Sequence, residues 1–191
     1  MDTLLAFEKI KAWYDKHDNN IRCREGKSFF RTSHGLWGSS GMLDVYELFL
    51  RYNLDSKVFA DYGSGDGRIV LIASLFTKAV GIEGDKEVHE VALQAQEELS
   101  KDIPQLKEAQ FILGNYYKQE HNTFDILFFY PDHAFPETFQ KELLKNFDGH
   151  LLVYNKIHEP ALLKKGKTYW HQQVPIVSYP LGNVEEFFSE R

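Results

Sequence analysis

Short apolar segments alternate with amphipathic ones from residue 58 onward, and this alternation constrains the fold more than any other feature of the sequence. The apolar segments are rich in β-branched and aromatic residues, whereas the segments between them repeat apolar residues every three or four positions. This pattern predicts β-α-β units around a parallel sheet, because a strand must return through a crossover before the next can pair with it in parallel. In chain order the segments are "VFADY", "RIVLIASLF", "AVGIE", "EVHEVALQAQEELS", "AQFILG", "FDILFFY", "PETFQKELLKNF" and "HLLVY".

The two ends of the chain have different patterns. Residues 1–25 and about 41–53 have helical periodicity, and we expect the first to be a surface helix. The stretch "RTSHGLWGSSG" between them is rich in glycine and serine, which favours a loop. Near the C-terminus, "TYWHQQVPIVSYPLGNVEEFF" predicts antiparallel strands that complete the sheet. At 191 residues the whole chain suits a single domain.

Composition limits the partners and the compartment. The net charge of −6 opposes tight binding to a nucleic-acid backbone, which depends on neutralising phosphates. The single cysteine, Cys23, excludes an internal disulfide and a multi-cysteine zinc site, and the eight histidines show no metal-ligand spacing such as H-E-x-x-H. The N-terminus lacks a signal-peptide pattern, and no stretch reaches the roughly 20 apolar residues that span a bilayer. We therefore expect a cytoplasmic protein without a metal or a membrane partner.

The turn after the first predicted strand, "ADYGSGDGRIV", carries glycine at every second position. Glycine adopts positive φ without strain and lacks a Cβ, so such a turn lets another group approach the backbone closely. A dinucleotide fingerprint would read G-x-G-x-x-G, but Arg68 occupies the position of its third glycine. We therefore expect poor binding of NAD. The pattern is instead an acidic residue followed by alternate glycines: Asp61, Gly63, Gly65 and Gly67.

That pattern resembles the first motif of the class I methyltransferases, which use S-adenosylmethionine. The resemblance extends along the chain from about residue 36 to 154, because polar residues follow the next three predicted strands in the order that the family has them. The resemblance implies an α/β, Rossmann-like fold with a mostly parallel seven-stranded sheet, an antiparallel C-terminal strand and helices on both faces. It also implies a core that binds the cofactor, residues 54–191, preceded by a helical cap on the substrate side, residues 1–53.

The resemblance also implies roles for individual residues. Glu83, which ends the second strand, matches the acidic residue that accepts hydrogen bonds from both ribose hydroxyls. Asn115 matches a polar residue that contacts the adenine amino group, and an Asx turn is an equally good explanation for it. Trp37, between glycines, is a candidate lid over the cofactor. The candidate catalytic residues are Tyr130 and Asp132, since the end of the fourth strand, "YPD", faces the transferred methyl in that family.

Several methyl acceptors are compatible with these motifs. The sequence lacks the N-P-P-Y tetrad with which many enzymes hold a planar amine or amide. The segments "GSGDGRIV" and "HLLVYNK" look like those of small archaeal lysine methyltransferases and the related mitochondrial family, which implies a protein lysine as acceptor. The upstream segment "HGLWGSSGMLDVYELF" departs from their pattern. A small molecule is the alternative acceptor, followed by RNA, and a regulatory module that binds the cofactor without turnover is a further alternative.

Overall fold

The structure is a computed structural model that describes residues 2–25, 29–31, 36–38, 41–52, 54–155, 157–171 and 174–187. For residues 24, 25, 29–31, 36–38 and 171 it describes the backbone alone. The described helices are Thr3–Glu25 (α1), Met42–Arg51 (α2), Arg68–Ala73 (α3), Lys86–Leu99 (α4) and Glu137–Asn146 (α5). The strands are Phe29–Arg31 (β1), Leu36–Gly38 (β2), Val58–Tyr62 (β3), Lys78–Glu83 (β4), Gln110–Leu113 (β5), Ile126–Phe129 (β6), Gly149–Tyr154 (β7), Thr168–His171 (β8) and Val174–Leu181 (β9).

Seven of these strands form one sheet in the order β5-β4-β3-β6-β7-β9-β8. The pairs from β5 to β7 are all parallel, and β9 runs antiparallel to both of its neighbours. The predicted parallel sheet with an antiparallel strand near the C-terminus is therefore confirmed. Residues 58–62 form a central strand, as expected for a strand followed by a ligand-binding turn.

The sheet has helices on both faces, as predicted. On one face α1, α2 and α3 share a core with inward residues of the strands, such as Phe59 and Phe128. On the other face the alternate strand residues, such as Ala60 and Leu127, pack with α5. Side chains alternate between the two faces of a strand, so one apolar strand supplies both cores at once.

The N-terminal region differs from the sequence prediction at two points. The predicted loop between α1 and α2 contains the strand β2, which pairs antiparallel with β1 and places the Trp37 backbone opposite that of Phe30. The helix α1 is more than a surface helix, because Phe7, Ile10 and Tyr14 are almost completely buried. Aromatic and aliphatic residues at a spacing of three to four thus seat α1 firmly against the rest of the molecule.

The strand order determines where a ligand can bind. The chain builds β4 and β5 on one side of β3 and then crosses to build β6 and β7 on the other side. The loops after β3 and β6 therefore leave the sheet in opposite directions, and they open a crevice at the carboxyl ends of these two strands. Among the described helices, none is both long and apolar enough to cross a membrane.

Candidate functional site

A cavity of about 690 Å³ lies at the carboxyl ends of the parallel strands. Segments that follow β3, β4, β5 and β6 all contribute to its walls, and residues after β7 complete them. The cavity lies at the crevice that the strand order predicts. Of the residues singled out in the sequence, those that line it are Asp61, Gly63, Gly65, Glu83, Asn115, Tyr130 and Asp132.

The three glycines of the turn have positive φ, of +75° at Gly63, +55° at Gly65 and +80° at Gly67. A Cβ at Gly67 would lie 2.7 Å from both the Ala92 methyl and the Phe111 ring, so the protein itself fills that space. A Cβ at Gly63 would have no atom within 4 Å. Gly67 thus allows α4 and β5 to pack against the turn, whereas Gly63 leaves its backbone open to the cavity.

Glu83 lies at the end of β4, and backbone amides hold its carboxylate in place. Its Oε2 accepts a hydrogen bond from the Gly65 N–H at 2.8 Å, and its Oε1 accepts one from the Asp85 N–H at 2.8 Å. A carboxylate oxygen has a second acceptor position, so both oxygens retain capacity to accept a donor from a ligand. The contacts tie the glycine turn to the turn that begins α4 and fix the orientation of the carboxylate.

Asp61 is a buried carboxylate, 4% exposed, beside the cavity. Burial raises its pKa well above the usual range, and the nearby carboxylates of Glu83 and Asp66 raise it further. Within the described part of the chain, no hydrogen bond or ion pair reaches this carboxylate. A cationic group of a ligand would relieve both the desolvation and the repulsion.

The next carboxylate of the turn, Asp66, belongs to a buried cluster that the sequence did not reveal. The Arg68 guanidinium contacts Asp66 Oδ2 at 2.6 Å and Asp18 Oδ1, on α1, at 2.7 Å. The Tyr14 hydroxyl donates to the Asp66 carbonyl at 2.7 Å, and the Tyr14 ring lies beneath the guanidinium. Burial lowers the pKa of Arg68, but the two carboxylates outweigh it and hold the pKa above its usual value. The cluster therefore joins α1 to the glycine turn.

Asn115 follows β5 and caps a short 3-10 helix, Tyr116–Lys118. Its Oδ1 accepts a hydrogen bond from the Tyr117 N–H at 2.9 Å. This is the Asx turn considered in the sequence analysis. It uses one acceptor position of Oδ1, so a second acceptor position of that oxygen and the side-chain amide nitrogen remain available to a ligand. The helix also brings Tyr116 and Tyr117, which were not predicted as site residues, to the cavity wall.

The loop after β6 forms another wall. Tyr130 is 43% exposed, and its ring packs edge-on against Tyr154 at 5.0 Å between centroids. The Tyr154 hydroxyl donates to Asp44 on α2 at 2.7 Å, which connects this wall to the N-terminal region. Asp132 Oδ1 is hydrogen-bonded to Nδ1 of His133.

His133 also lines the cavity, although the sequence analysis did not select it. Its position directly after Asp132 was the one signal available, and its contact with Tyr117, which precedes it by sixteen residues, is a tertiary contact. The side chain of Trp37, the candidate lid, lies outside the described residues. In the described parts of the chain, no group of three or more His, Cys, Asp and Glu side chains is placed to hold a metal ion.

Comparisons with known proteins place this fold. No family model and no curated protein matches the sequence. An RNA methyltransferase from Salinibacter ruber, solved with S-adenosyl-L-homocysteine, is similar in structure at a TM-score of 0.57 and 18% identity, over 78% of this chain and 95% of that one. The magnesium protoporphyrin IX methyltransferase ChlM from Synechocystis PCC 6803, solved with S-adenosylmethionine, has a TM-score of 0.54 and 12% identity, over 72% of this chain and 76% of that one.

The mitomycin 7-O-methyltransferase MmcR is also similar, with a TM-score of 0.54 and 13% identity. That similarity covers 74% of this chain but only 54% of MmcR. All three identities are low, so the likeness concerns the fold. It confirms the expectation drawn from the motifs: this chain has the Rossmann-like fold found in methyltransferases that use S-adenosylmethionine.

Proposed function

We propose that the protein binds S-adenosylmethionine in the cavity and transfers its methyl group to an acceptor. The observation that carries this proposal is the pair of acidic side chains, Asp61 and Glu83, beside the open backbone of Gly63 at the switch point of the sheet. S-adenosylmethionine carries an ammonium, a sulfonium and two neighbouring ribose hydroxyls, which are groups that carboxylates bind. The methyltransferases solved with this cofactor or its product support the assignment through their shared fold.

The proposed contacts follow from the chemistry of each wall. Glu83 accepts hydrogen bonds from the ribose hydroxyls through the free acceptor positions of its two oxygens. Asp61 pairs with the ammonium, Gly63 and Gly65 allow close approach to the turn, and Asn115 contacts the adenine amino group through its side-chain amide. In this proposal Gly67 serves the site indirectly, through the packing of the turn. Trp37 remains a candidate lid.

The bound cofactor supplies an activated methyl group, and the protein aligns the acceptor and excludes water. We propose that Tyr130 and Asp132 form the acceptor mouth. Tyr130 offers an aromatic surface next to the cavity, and Asp132 offers a carboxylate within the same loop. The contact chain from Tyr130 through Tyr154 to Asp44 supports residues 1–53 as a segment on the substrate side of the core formed by 54–191.

We propose a protein lysine as the acceptor. An aromatic mouth lowers the pKa of an amine by desolvation, and a base in the loop after β6 can receive the proton. A small molecule is the alternative, since the same groups would serve a small amine or alcohol. RNA ranks behind both because the net charge is −6. If no acceptor is methylated, the remaining alternative is a regulatory module that binds the cofactor without turnover.

Calorimetry tests the cofactor assignment directly. S-adenosylmethionine and S-adenosylhomocysteine are expected to bind, and NAD to bind far more weakly. Glu83→Ala is expected to reduce cofactor affinity by about 1.5–3 kcal/mol, the range for hydrogen bonds to a charged group. Glu90→Gln, an exposed change on α4, serves as the control. Affinity for NAD equal to that for S-adenosylmethionine would refute the assignment.

Methyl transfer tests the acceptor. Tritiated S-adenosylmethionine is incubated with the protein and with host extract, and the label is followed into proteins, RNA and small metabolites. Tyr130→Ala and Asp132→Ala are expected to retain cofactor affinity and to lose single-turnover transfer. If they lost affinity as severely as Glu83→Ala, the acceptor mouth would be placed wrongly. Labelled metabolites without labelled protein would favour the small-molecule alternative.

A further inference from the structure

Asp132, His133 and Tyr117 form a chain of contacts at the cavity wall. His133 Nδ1 is hydrogen-bonded to Asp132 Oδ1, and His133 Nε2 lies 3.4 Å from the Tyr117 hydroxyl. The side chains of His133 and Asp132 are 50% and 31% exposed, and all three residues line the cavity. The chain of contacts is therefore accessible to a ligand rather than buried in the core.

The surrounding aromatic residues fix one end of this chain. The Tyr117 ring packs edge-on against Phe139 of α5, with 4.9 Å between ring centroids, and lies tilted against Tyr116 at 4.4 Å. Tyr116 in turn packs on Phe129, the last residue of β6. The hydroxyl of Tyr117 is thus held over the loop that follows β6, where it meets His133.

The contacts of the imidazole define its chemical state. A carboxylate can only accept, so Asp132 requires a proton on Nδ1 of His133. In the neutral ring this leaves Nε2 with one lone pair. The Tyr117 hydroxyl, 3.4 Å away, lies beyond the usual distance of a strong hydrogen bond, so a donor from a ligand can take its place at Nε2. A carboxylate that orients an imidazole in this way leaves Nε2 able to accept a proton, which is what a general base requires.

We propose that His133 is the general base for the acceptor and that Asp132 is the residue that positions it. This proposal rests on the proposed methyl transfer and narrows its substrate class to a protic nucleophile, an amine or a hydroxyl. The proton of the nucleophile moves to His133 Nε2, the bond from the nucleophile to the methyl carbon forms, and the carbon–sulfur bond breaks with its electron pair left on sulfur. An ammonium loses its proton before attack, whereas a hydroxyl loses it during attack. Release of the proton to water regenerates the neutral imidazole.

A comparison of two ligands tests this without a known acceptor. S-adenosylhomocysteine has no group in the place of the methyl, whereas sinefungin carries an amine on a carbon that replaces the methylated sulfur. The amine of sinefungin would donate to Nε2 of His133. We expect His133→Phe to weaken sinefungin about tenfold or more while changing S-adenosylhomocysteine affinity less than twofold, both measured by calorimetry. Asp132→Asn is also expected to lower the affinity for sinefungin relative to the affinity for S-adenosylhomocysteine.

Nitrogen-15 NMR of the imidazole provides the readout for positioning. Wild-type His133 is expected as the tautomer with the proton on Nδ1, and Asp132→Asn is expected to shift the population toward the other tautomer. A purely structural role would change both ligands equally and leave the tautomer unaltered. Among the described residues of the cavity wall the second histidine is His158, and His158→Phe is expected to preserve the ratio of the two affinities.

The outcomes are separable. Failure of S-adenosylhomocysteine to bind the wild type would overturn the proposed function and this inference together. Normal binding of S-adenosylhomocysteine with an unchanged ratio in His133→Phe would overturn the inference alone, as would an equal effect of His158→Phe. If His133→Phe does not fold, His133→Leu, which also lacks an acceptor, and the wild-type tautomer provide the same test.

Discussion

Gly63 and Gly67 adopt the same left-handed backbone for different physical reasons. At Gly67 the protein itself requires the missing Cβ, because Ala92 and Phe111 occupy its place. At Gly63 the space beside the backbone is open and belongs to the cavity. One residue of the turn thus contributes to packing, and the other keeps room for a ligand.

This difference predicts different effects of the same substitution. Gly67→Ala is expected to cost about 2–5 kcal/mol of unfolding free energy, because left-handed strain and overpacking add. Gly63→Ala is expected to cost only the strain, about 1–2 kcal/mol, and to weaken S-adenosylhomocysteine binding. Urea unfolding and calorimetry measure the two effects. Equal losses of stability would contradict this interpretation of the turn.

Asp61 and Asp66 are two buried carboxylates of one segment with opposite roles. Asp61→Asn is expected to lower the affinity for S-adenosylmethionine about 10–100-fold, because a charged hydrogen-bond acceptor is lost. The stability at neutral pH is expected not to fall. Asp66→Asn is expected to cost about 3 kcal/mol of stability, because it takes a carboxylate from the buried Arg68. Destabilisation by Asp61→Asn would show that its charge supports the fold.

The raised pKa of Asp61 also predicts a dependence on pH. Between its ordinary value of 3.8 and the raised value in the fold, the folded protein holds a proton that the unfolded chain has lost. This group therefore lowers stability as pH rises through that window, and the slope is absent in Asp61→Asn. Affinity for S-adenosylmethionine is expected to rise over the same window, because the ammonium pairs with the ionised carboxylate. Unfolding curves and calorimetry at several pH values check both signs.

At the scale of elements, α1 is a structural support of the binding turn. Its residues Tyr14 and Asp18 contact the Asp66 carbonyl and the Arg68 guanidinium, and Arg68 opens α3. The periodicity of α1 predicted a helix, but the partner of its polar face lies fifty residues away in the sequence. The glycine turn is thus fixed by contacts with α1 on one side and by the hydrogen bond from the Gly65 N–H to Glu83 beside the cavity.

Two aspartates of α1 provide a matched test of this support. Asp18→Ala is expected to lower the free energy of unfolding by about 1–3 kcal/mol, because the buried guanidinium of Arg68 loses a partner. It is also expected to increase hydrogen exchange of the backbone amides in residues 63–67. Asp15→Ala removes an exposed pair with Lys11 and is expected to cost less than about 0.5 kcal/mol. Comparable effects of the two changes would contradict an anchoring role for α1.

At the scale of the whole molecule, the site exists because strands from both halves of the sheet end at one edge. A ligand that contacts Glu83 and the loop after β6 binds the assembled sheet and cannot bind the unfolded chain. S-adenosylhomocysteine at a hundred times its dissociation constant is therefore expected to add about 2.7 kcal/mol to the free energy of unfolding. It is expected to raise the melting temperature by about 5–11 °C, in one transition. Two transitions, with only one shifted by the ligand, would contradict a single domain.

Much of this architecture was predictable because its determinants are local. Apolar periodicity of two or of three to four residues separates strand from helix, and the segments named in the sequence analysis correspond to β3 through β7 with the helices between them. The pair β1 and β2 was missed, since "RTSHGLWGSSG" has turn-forming residues and too few alternating ones. The positions of Asp61, Glu83, Asn115 and Asp132 at the cavity followed from strand ends that must share one edge of a parallel sheet.

The sequence by itself determined the succession of strands and helices along the chain from β3 to β7, the acidic and glycine positions at the strand ends and the absence of a dinucleotide fingerprint, because each depends on neighbours within a few residues. The tertiary structure alone decided which partners distant side chains meet. It buried Arg68 between Asp66 and Asp18, left Asp61 without a described partner, and brought Tyr117 to His133. These features depend on how helices and loops pack across the sheet, and packing joins residues whose separation in sequence carries no local signal.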